Sequence, residues 1–358
     1  MKILVNDVAA EDGGGIYVLK QFYREIAERK DKEIEWVILT SQNLFENTGK
    51  IKVLVHPEVK KSRLHRICFD LFTIKKILRE EKPDIVISLQ NTPIARCDLP
   101  QYVYLHQSVQ FCPKKYSFLK AEERPTAIRQ RLICELYRRQ LPKAKHIFVQ
   151  TKWMKKATAE WLHCKEDKIT VVPVKAADPP ENLLKEAGNA IKQFFYPARA
   201  ESYKNHELII EACQKLKEAG FENYKVIFTF HRDENAYAVS LAEAAKDLPI
   251  EFIGNIPHDD IWSYFVNACM IYPSYIETVG LPLLEARKAK GAILAADLPY
   301  AHEDLDGYDR ASFFPYNNVQ KLYEGMREYL EGNFEIASRD DYNDGEIEGL
   351  AQAILKKF

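Results

Sequence analysis

Two carboxylates and one glycine give the sharpest chemical signal in this chain. Between Tyr272 and Ala286, Glu277 and Glu285 stand on either side of Gly280 and Pro282. The apolar run 268–272 reads as a buried strand that feeds the loop. Gly280 lets backbone approach a ligand closely. Pro282 suits a first helical turn, where its missing N–H costs nothing. The backbone N–H groups of Val279, Gly280 and Leu281 would then lie at the positive end of a helix, where an anion binds. Donors for a phosphate, with carboxylates beside them to accept from hydroxyls, are what a phosphate-plus-sugar ligand needs. The plain alternative is an ordinary strand-to-helix turn with two solvated glutamates.

Three further groups carry chemical potential. Arg199 and Lys204 lie five apart after the strand-like run 193–197, and around a turn they can converge on one diphosphate. Arginine grips oxygens with its planar fork and lysine supplies a point charge; as surface residues they would simply be solvated. Gly13, Gly14 and Gly15 sit between the first strand and the first helix. Gly14 and Gly15 there allow a phosphate or sugar to come close, and a merely flexible turn is the other reading. The tract is neither Gly-x-Gly-x-x-Gly nor a Gly-Lys-Ser/Thr loop, so dinucleotide and P-loop readings have little support. His106 ends the buried strand 102–105, where it either faces ligand or is a satisfied polar residue.

The elements that must position these groups alternate along the chain. Strand-like runs at 3–5, 35–40, 51–56, 83–88, 102–105, 146–149 and 169–172 are interleaved with helix-length stretches at 17–29, 63–81, 122–141 and 152–162. A proline cluster, Pro173, Pro179 and Pro180, marks a linker near 173–182. A second alternation follows, with strands at 193–197, 224–230, 250–253, 268–272 and 291–296 and helices at 205–219, 234–246 and 258–267. This predicts α/β architecture with doubly wound parallel sheets in two Rossmann-like domains, 1–174 and 175–358, the last helix packing back on the first. Ligands of such sheets bind at the carboxyl ends of the strands.

The Glu-x7-Glu spacing of Glu277 and Glu285 inside Pro-Ser-x2-Glu-x2-Gly-x-Pro resembles the donor-sugar motif of retaining glycosyltransferases of family 4, which have the GT-B fold. Arg199 and Lys204 resemble that family's Gly-Arg-x4-Lys pattern, with Ala198 in place of the glycine. Val279 stands where phenylalanine is usual, and Ala292 follows Gly291 where proline is usual. The resemblance runs from the glycine tract to about Asp306. It implies two domains with a cleft between them, and transfer of a sugar from a nucleotide diphosphate sugar to a hydroxyl with retention. Under it Arg199 and Lys204 stabilise the leaving diphosphate, Glu277 holds a donor-sugar hydroxyl, Glu285 accepts from ribose, and His106 supports the reacting centre. The implied acceptor is a glycan or lipid-linked molecule of surface-polysaccharide synthesis. Two rival classes stay open. One is a non-catalytic nucleotide-sugar binder. The other is a GT-B epimerase or an inverting transferase with His106 or Asp7 as base.

Composition bounds the rest. The 358 residues are 46% hydrophobic, enough for two cores. The net charge of −1 divides into +11 for residues 1–170 and −12 for the remainder. That fits either different partners for the two halves or domains that face each other with opposite charge. Seven scattered cysteines without Cys-x-x-Cys point to reduced thiols in a cytoplasmic protein. The chain opens directly on a strand-like run, with no signal peptide expected. No metal site is expected: Asp259-Asp260 and Asp340-Asp341 read as solvated or capping pairs, and no cofactor is called for beyond the donor substrate. The basic, amphipathic stretch 60–76 reads either as a peripheral contact with the inner face of a membrane or as a core helix with a charged outer stripe. Nothing resembles a nucleic-acid-binding motif.

Overall fold

A computed structural model of the chain describes residues 1–10, 13–29, 33–181, 183, 191–334 and 347–358. The Asp340-Asp341 pair and Asn182, at the end of the expected linker, lie outside them. The strand-like runs pair into two sheets whose neighbours are all parallel. The first has seven strands: β1 (Lys2–Asp7), β2 (Glu35–Thr40), β3 (Ile51–Val55), β4 (Ile85–Ser88), β5 (Gln101–Leu105), β6 (His146–Val149) and β7 (Ile169–Val171), in the order β3-β2-β1-β4-β5-β6-β7. The second has six: β8 (Lys192–Tyr196), β9 (Tyr224–Phe228), β10 (Ile250–Phe252), β11 (Cys269–Tyr272), β12 (Ala292–Ala296) and β13 (Ala311–Phe314), in the order β10-β9-β8-β11-β12-β13. Strands covered on both faces must be apolar throughout, and β4, β5, β11 and β12 are buried at every position.

The chain divides into two compact units. One comprises Met1–Gln107, Gln130–Val174 and Glu346–Phe358; the other comprises Ser108–Arg129 and Lys175–Gly345. Besides the division at 174/175, two segments cross over, each with a packing reason: the last helix, which was expected to pack back on the first domain, and the excursion 108–129, which was not expected. In the second unit Cys112, Tyr116 and Ala127 form a small core with Tyr203, Tyr275 and Ile276. In the first, the helix Leu350–Leu355 inserts Leu350, Ala351, Ala353 and Ile354 into the same core as Val18, Leu19, Phe22 and Ile26 of the helix Gly13–Glu28. Glu25 fixes that helix by accepting the N–H groups of Leu350 (3.2 Å) and Ala351 (2.8 Å), as an N-terminal cap does.

Local structure departs from the sequence expectation in three places. Gly13, Gly14 and Gly15 are the first turn of the helix Gly13–Glu28, where a loop was expected. Each long basic stretch is helical but interrupted by a π-turn, Phe69–Thr73 in one and Arg129–Ile133 in the other. The region after β12 contains β13 and the helices Pro299–Asp304 and Val319–Glu331, which no motif had marked.

Candidate functional site

The second sheet reverses its winding direction between β8 and β11, and in open α/β sheets ligands bind outside the carboxyl ends at such a point. The segments carrying Arg199 with Lys204 and Glu277 with Glu285 leave those two neighbouring strands. The backbone locks them together. Tyr275 N–H donates to the Tyr203 carbonyl at 2.8 Å. Asn205 adopts left-handed backbone, φ 59°, and its amide donates to the carbonyls of Pro273 (3.3 Å) and Tyr316 (3.1 Å). Asparagine tolerates that conformation and supplies the donors.

This turn aims Lys204 at Glu277, with Nζ 2.6 Å from Oε1. Tyr272, the last residue of β11, donates its hydroxyl to the same Oε1 at 3.0 Å. Both partners take one carboxylate oxygen, which leaves Oε2 directed elsewhere. The ion-pair side chains are only 16% and 14% exposed. Burial pushes the Lys204 ammonium down, but the adjacent Glu277 carboxylate more than offsets this and holds its pKa above the ordinary value. The Tyr203 and Tyr272 rings flank the ammonium at 5.4 and 5.9 Å. Arg199 is exposed in the same loop, and its charge acts on Glu201.

Glu285 lies in the helix Leu281–Lys288, entered through Gly280 and Pro282. It is buried, and its Oε1 is 3.0 Å from His258 Nε2. Burial raises its pKa, with His258 opposing. A carboxylate offers about four lone-pair sites, so accepting capacity is left for hydroxyls.

The loop N–H groups differ from expectation. Gly280 N–H is taken by Asp304, whose Oδ2 accepts it at 2.6 Å, leaving Val279 and Leu281 of the expected set. Asp304 ends the helix Pro299–Asp304 and is 4% exposed. Burial pushes its carboxyl up to about 8, against the Gly280 hydrogen bond. Arg287 donates to the Asp304 carbonyl at 2.9 Å and ties the same loop to its own helix. A Cβ on Gly280 would stand 2.8 Å from Leu283 Cδ1 and 3.1 Å from Asp304 Oδ2, so any larger residue there must push Leu283 and the Asp304 carboxyl aside. Sequence reasoning missed Tyr272, His258 and Asp304. Tyr272 adjoined the motif and was read only as strand; the other two act over 27 and 24 residues of separation.

In the first unit the winding reverses between β1 and β4. His106, just past β5, has Nε2 2.7 Å from the Leu89 carbonyl, and its N–H donates to Asn91 Oδ1 at 2.8 Å. A carbonyl only accepts, so Nε2 carries the proton and Nδ1 keeps its lone pair. Burial lowers the His106 pKa and keeps the ring neutral at pH 7. Its Cε1 is 3.9 Å from where a Cβ on Gly15 would stand, whereas Gly14 has open space around it. Asp7, buried at the end of β1, has its carboxyl raised well above the usual range by burial, so its neutral form is favoured. Among the described residues no group of three or more His, Cys, Asp or Glu could hold a metal ion, and no helix is long and apolar enough to cross a membrane.

Two family models match. Residues 13–174 match Glycosyltransferase Family 4, and residues 185–345 match Glycosyl transferases group 1. The O-antigen chain mannosyltransferase RfbU of Salmonella typhimurium is 22% identical over 175 residues, 48% of this chain and 47% of that protein. The chain thus matches about half the length of that relative. Among solved structures, the sucrose-phosphate synthase of Thermosynechococcus elongatus is similar with a TM-score of 0.68 at 14% identity, covering 92% of this chain and 90% of that one. Anabaena HepE, solved in complex with UDP and glucose, is similar at 0.63 and 15% identity, covering 100% and 95%. The two models adjoin along nearly the whole chain, and the chain belongs to the family-4 glycosyltransferases. Its two parallel sheets are the two Rossmann-like domains of a GT-B fold.

Proposed function

We propose that this chain transfers a glycosyl group from a nucleotide diphosphate sugar to a hydroxyl of a glycan or lipid-linked acceptor, with retention at the anomeric carbon and without a metal ion. The observation that carries the reading is the buried Lys204–Glu277 pair, 2.6 Å apart, at the switch point of the second sheet. A buried ion pair is weak evidence for stability, whereas a group whose pKa is shifted by burial and a specific charge partner is a functional-site candidate. Lys204 and Arg199 neutralise the leaving diphosphate, and the Val279 and Leu281 N–H groups add dipolar stabilisation. Glu277, its Oε1 held by Lys204 and Tyr272, offers Oε2 to a donor-sugar hydroxyl. Glu285, oriented by His258, accepts from the ribose. The leaving phosphate takes the acceptor proton as attack occurs on the same face, so no protein nucleophile is required. His106, neutral with its Nδ1 lone pair available, accepts a hydrogen bond at the reacting centre, and the backbone at Gly14 and Gly15 admits the donor phosphates. Family membership supports the transfer reaction. The UDP complex of Anabaena HepE supports a nucleotide donor, and the O-antigen role of RfbU supports a surface-polysaccharide acceptor.

The test is a thermal-shift panel of UDP, GDP, dTDP and CMP with their common sugars in EDTA, followed by turnover of the donor that binds. A ligand selective for the folded state raises Tm as ln(1+[L]/Kd). One nucleotide should give a selective shift that Glu285→Ala abolishes. Arg199→Ala should keep that shift and lose about a hundredfold or more in turnover. Product of inverted configuration, or no shift with any nucleotide and no turnover, overturns the reading.

A further inference from the structure

The helical run 63–81 is apolar on two faces, and the fold uses only one. Phe69, Ile74 and Ile77 are buried with Leu4, Val37 and Leu39 of the first sheet. On the other side Leu64 (73% exposed), Ile67 (51%), Leu71 (44%) and Phe72 (69%) lie uncovered. Leu64, Ile67 and Leu71 fall at i, i+3 and i+7, one stripe of a helix, and Phe72 adjoins it. Single exposed leucines are ordinary, whereas a contiguous stripe marks a surface that meets something apolar. The π-turn Phe69–Thr73 lies where the stripe is widest, and it lets Phe69 and Ile74 reach the core while Leu71 and Phe72 stay out.

The charge around the stripe identifies the partner. Residues 60–76 hold six lysines and arginines against one acidic residue, Asp70. That aspartate is already paired with Arg66 at 2.8 Å. Lys60, Lys61 and Arg63 precede the stripe, and Lys75 and Lys76 follow it. Long basic side chains at both ends of an apolar stripe reach phosphates while the apolar groups enter the acyl boundary. A soluble protein partner would have to combine an apolar groove with two acidic rims, whereas an anionic lipid surface offers both features everywhere.

We infer that the outer face of helix 63–76, formed by Leu64, Ile67, Leu71 and Phe72 and flanked by Lys60, Lys61, Arg63, Lys75 and Lys76, docks on an anionic phospholipid bilayer. The surface stands apart from the transfer reaction. Only its purpose, bringing a lipid-linked acceptor to the enzyme, rests on the function proposed above.

The test is co-sedimentation of the full chain with vesicles of phosphatidylglycerol and phosphatidylethanolamine, against vesicles of phosphatidylcholine alone. Binding is expected to the anionic vesicles, to weaken with added salt, and to be absent from phosphatidylcholine. Leu64→Ser with Phe72→Ser should cut partitioning by at least about tenfold, since each exposed side chain gives up its burial in lipid. Lys75→Glu with Lys76→Glu should do the same through charge. None of these side chains belongs to the core, so Tm and nucleotide binding in solution should be unchanged. Equal binding to both vesicle types, or full binding by both double variants, overturns the inference. So does a stripe that changes sedimentation of the free protein but not vesicle binding, which would make it a self-association face. Loss of vesicle binding with intact donor turnover separates this surface from the catalytic reading.

Discussion

Replacing Asp304 by asparagine tests whether the donor loop is held by a carboxyl group that burial keeps neutral. Asp304 Oδ2 accepts the Gly280 N–H at 2.6 Å, and the group is pushed from 3.8 to about 8 by burial, with Glu303 and Glu277 adding to the rise and Arg287 opposing it. The sign follows from proton counts. Below about pH 4 both folded and unfolded chains hold the proton. Between about pH 4 and 8 the unfolded chain has released it and the folded chain keeps it, so stability falls as pH rises. The slope for one proton is about 1.4 kcal/mol per pH unit, and across the interval the penalty reaches on the order of 5 kcal/mol. Asp304→Asn keeps an oxygen for the Gly280 N–H and removes the ionisation. The variant should therefore gain on the wild type as pH rises, by about 1.4 kcal/mol per unit, after an initial offset of about 1 kcal/mol for the altered hydrogen bond. Urea unfolding of both proteins at intervals from about pH 5 to pH 8 reads the difference directly. Other raised carboxyls, Asp7, Glu25, Glu201 and Glu285, are present in both proteins and cancel. A stability gap that stays constant with pH would refute the reasoning, because it would mean that Asp304 is ionised like any solvated aspartate.

Two further substitutions probe the same loop. Lys204→Gln strands the Glu277 carboxylate, 14% exposed, without its cation, and should cost about 3–5 kcal/mol. The double change with Glu277→Gln should recover most of that stability without restoring turnover, and equal losses in single and double variants would show that the pair is not coupled. Gly280→Ala places a methyl 2.8 Å from Leu283 Cδ1 and 3.1 Å from Asp304 Oδ2 and should cost about 1–3 kcal/mol in a melting experiment, with weaker nucleotide binding. An alanine variant that melts and binds like the wild type would mean that the loop has room the structure does not give it.

What the sequence made legible, and what it hid, divides by the range of the interaction. The strands announced themselves because a parallel sheet covered on both faces demands continuous apolar runs, such as 292–296. Glu277, Gly280, Pro282 and Glu285 could be grouped because one strand-loop-helix carries them all, and the turn chemistry of glycine and proline is local. Arg199 and Lys204 could be placed in a turn, but the meeting of Lys204 with Glu277 is decided by β8 pairing with β11 across some seventy residues. Asp304 was beyond reach for the same reason: it is one of four acids in the polar stretch 302–310, with Glu303, Asp306 and Asp309, and no period singles it out. Its importance arises only when the helix Pro299–Asp304 delivers it beneath Gly280. The excursion 108–129 was hidden likewise, since Cys112, Tyr116 and Ala127 look like scattered apolar residues until Tyr203, Tyr275 and Ile276 arrive to cover them. That last contact ties the hidden part to function. Of the tyrosines that hold this excursion, Tyr203 flanks Lys204 and Tyr275 donates its hydroxyl to Asn205 Oδ1 at 2.9 Å, so changes in 112–127 should register at the Lys204–Glu277 pair. The motif is local in sequence, but the geometry that makes it a site is not.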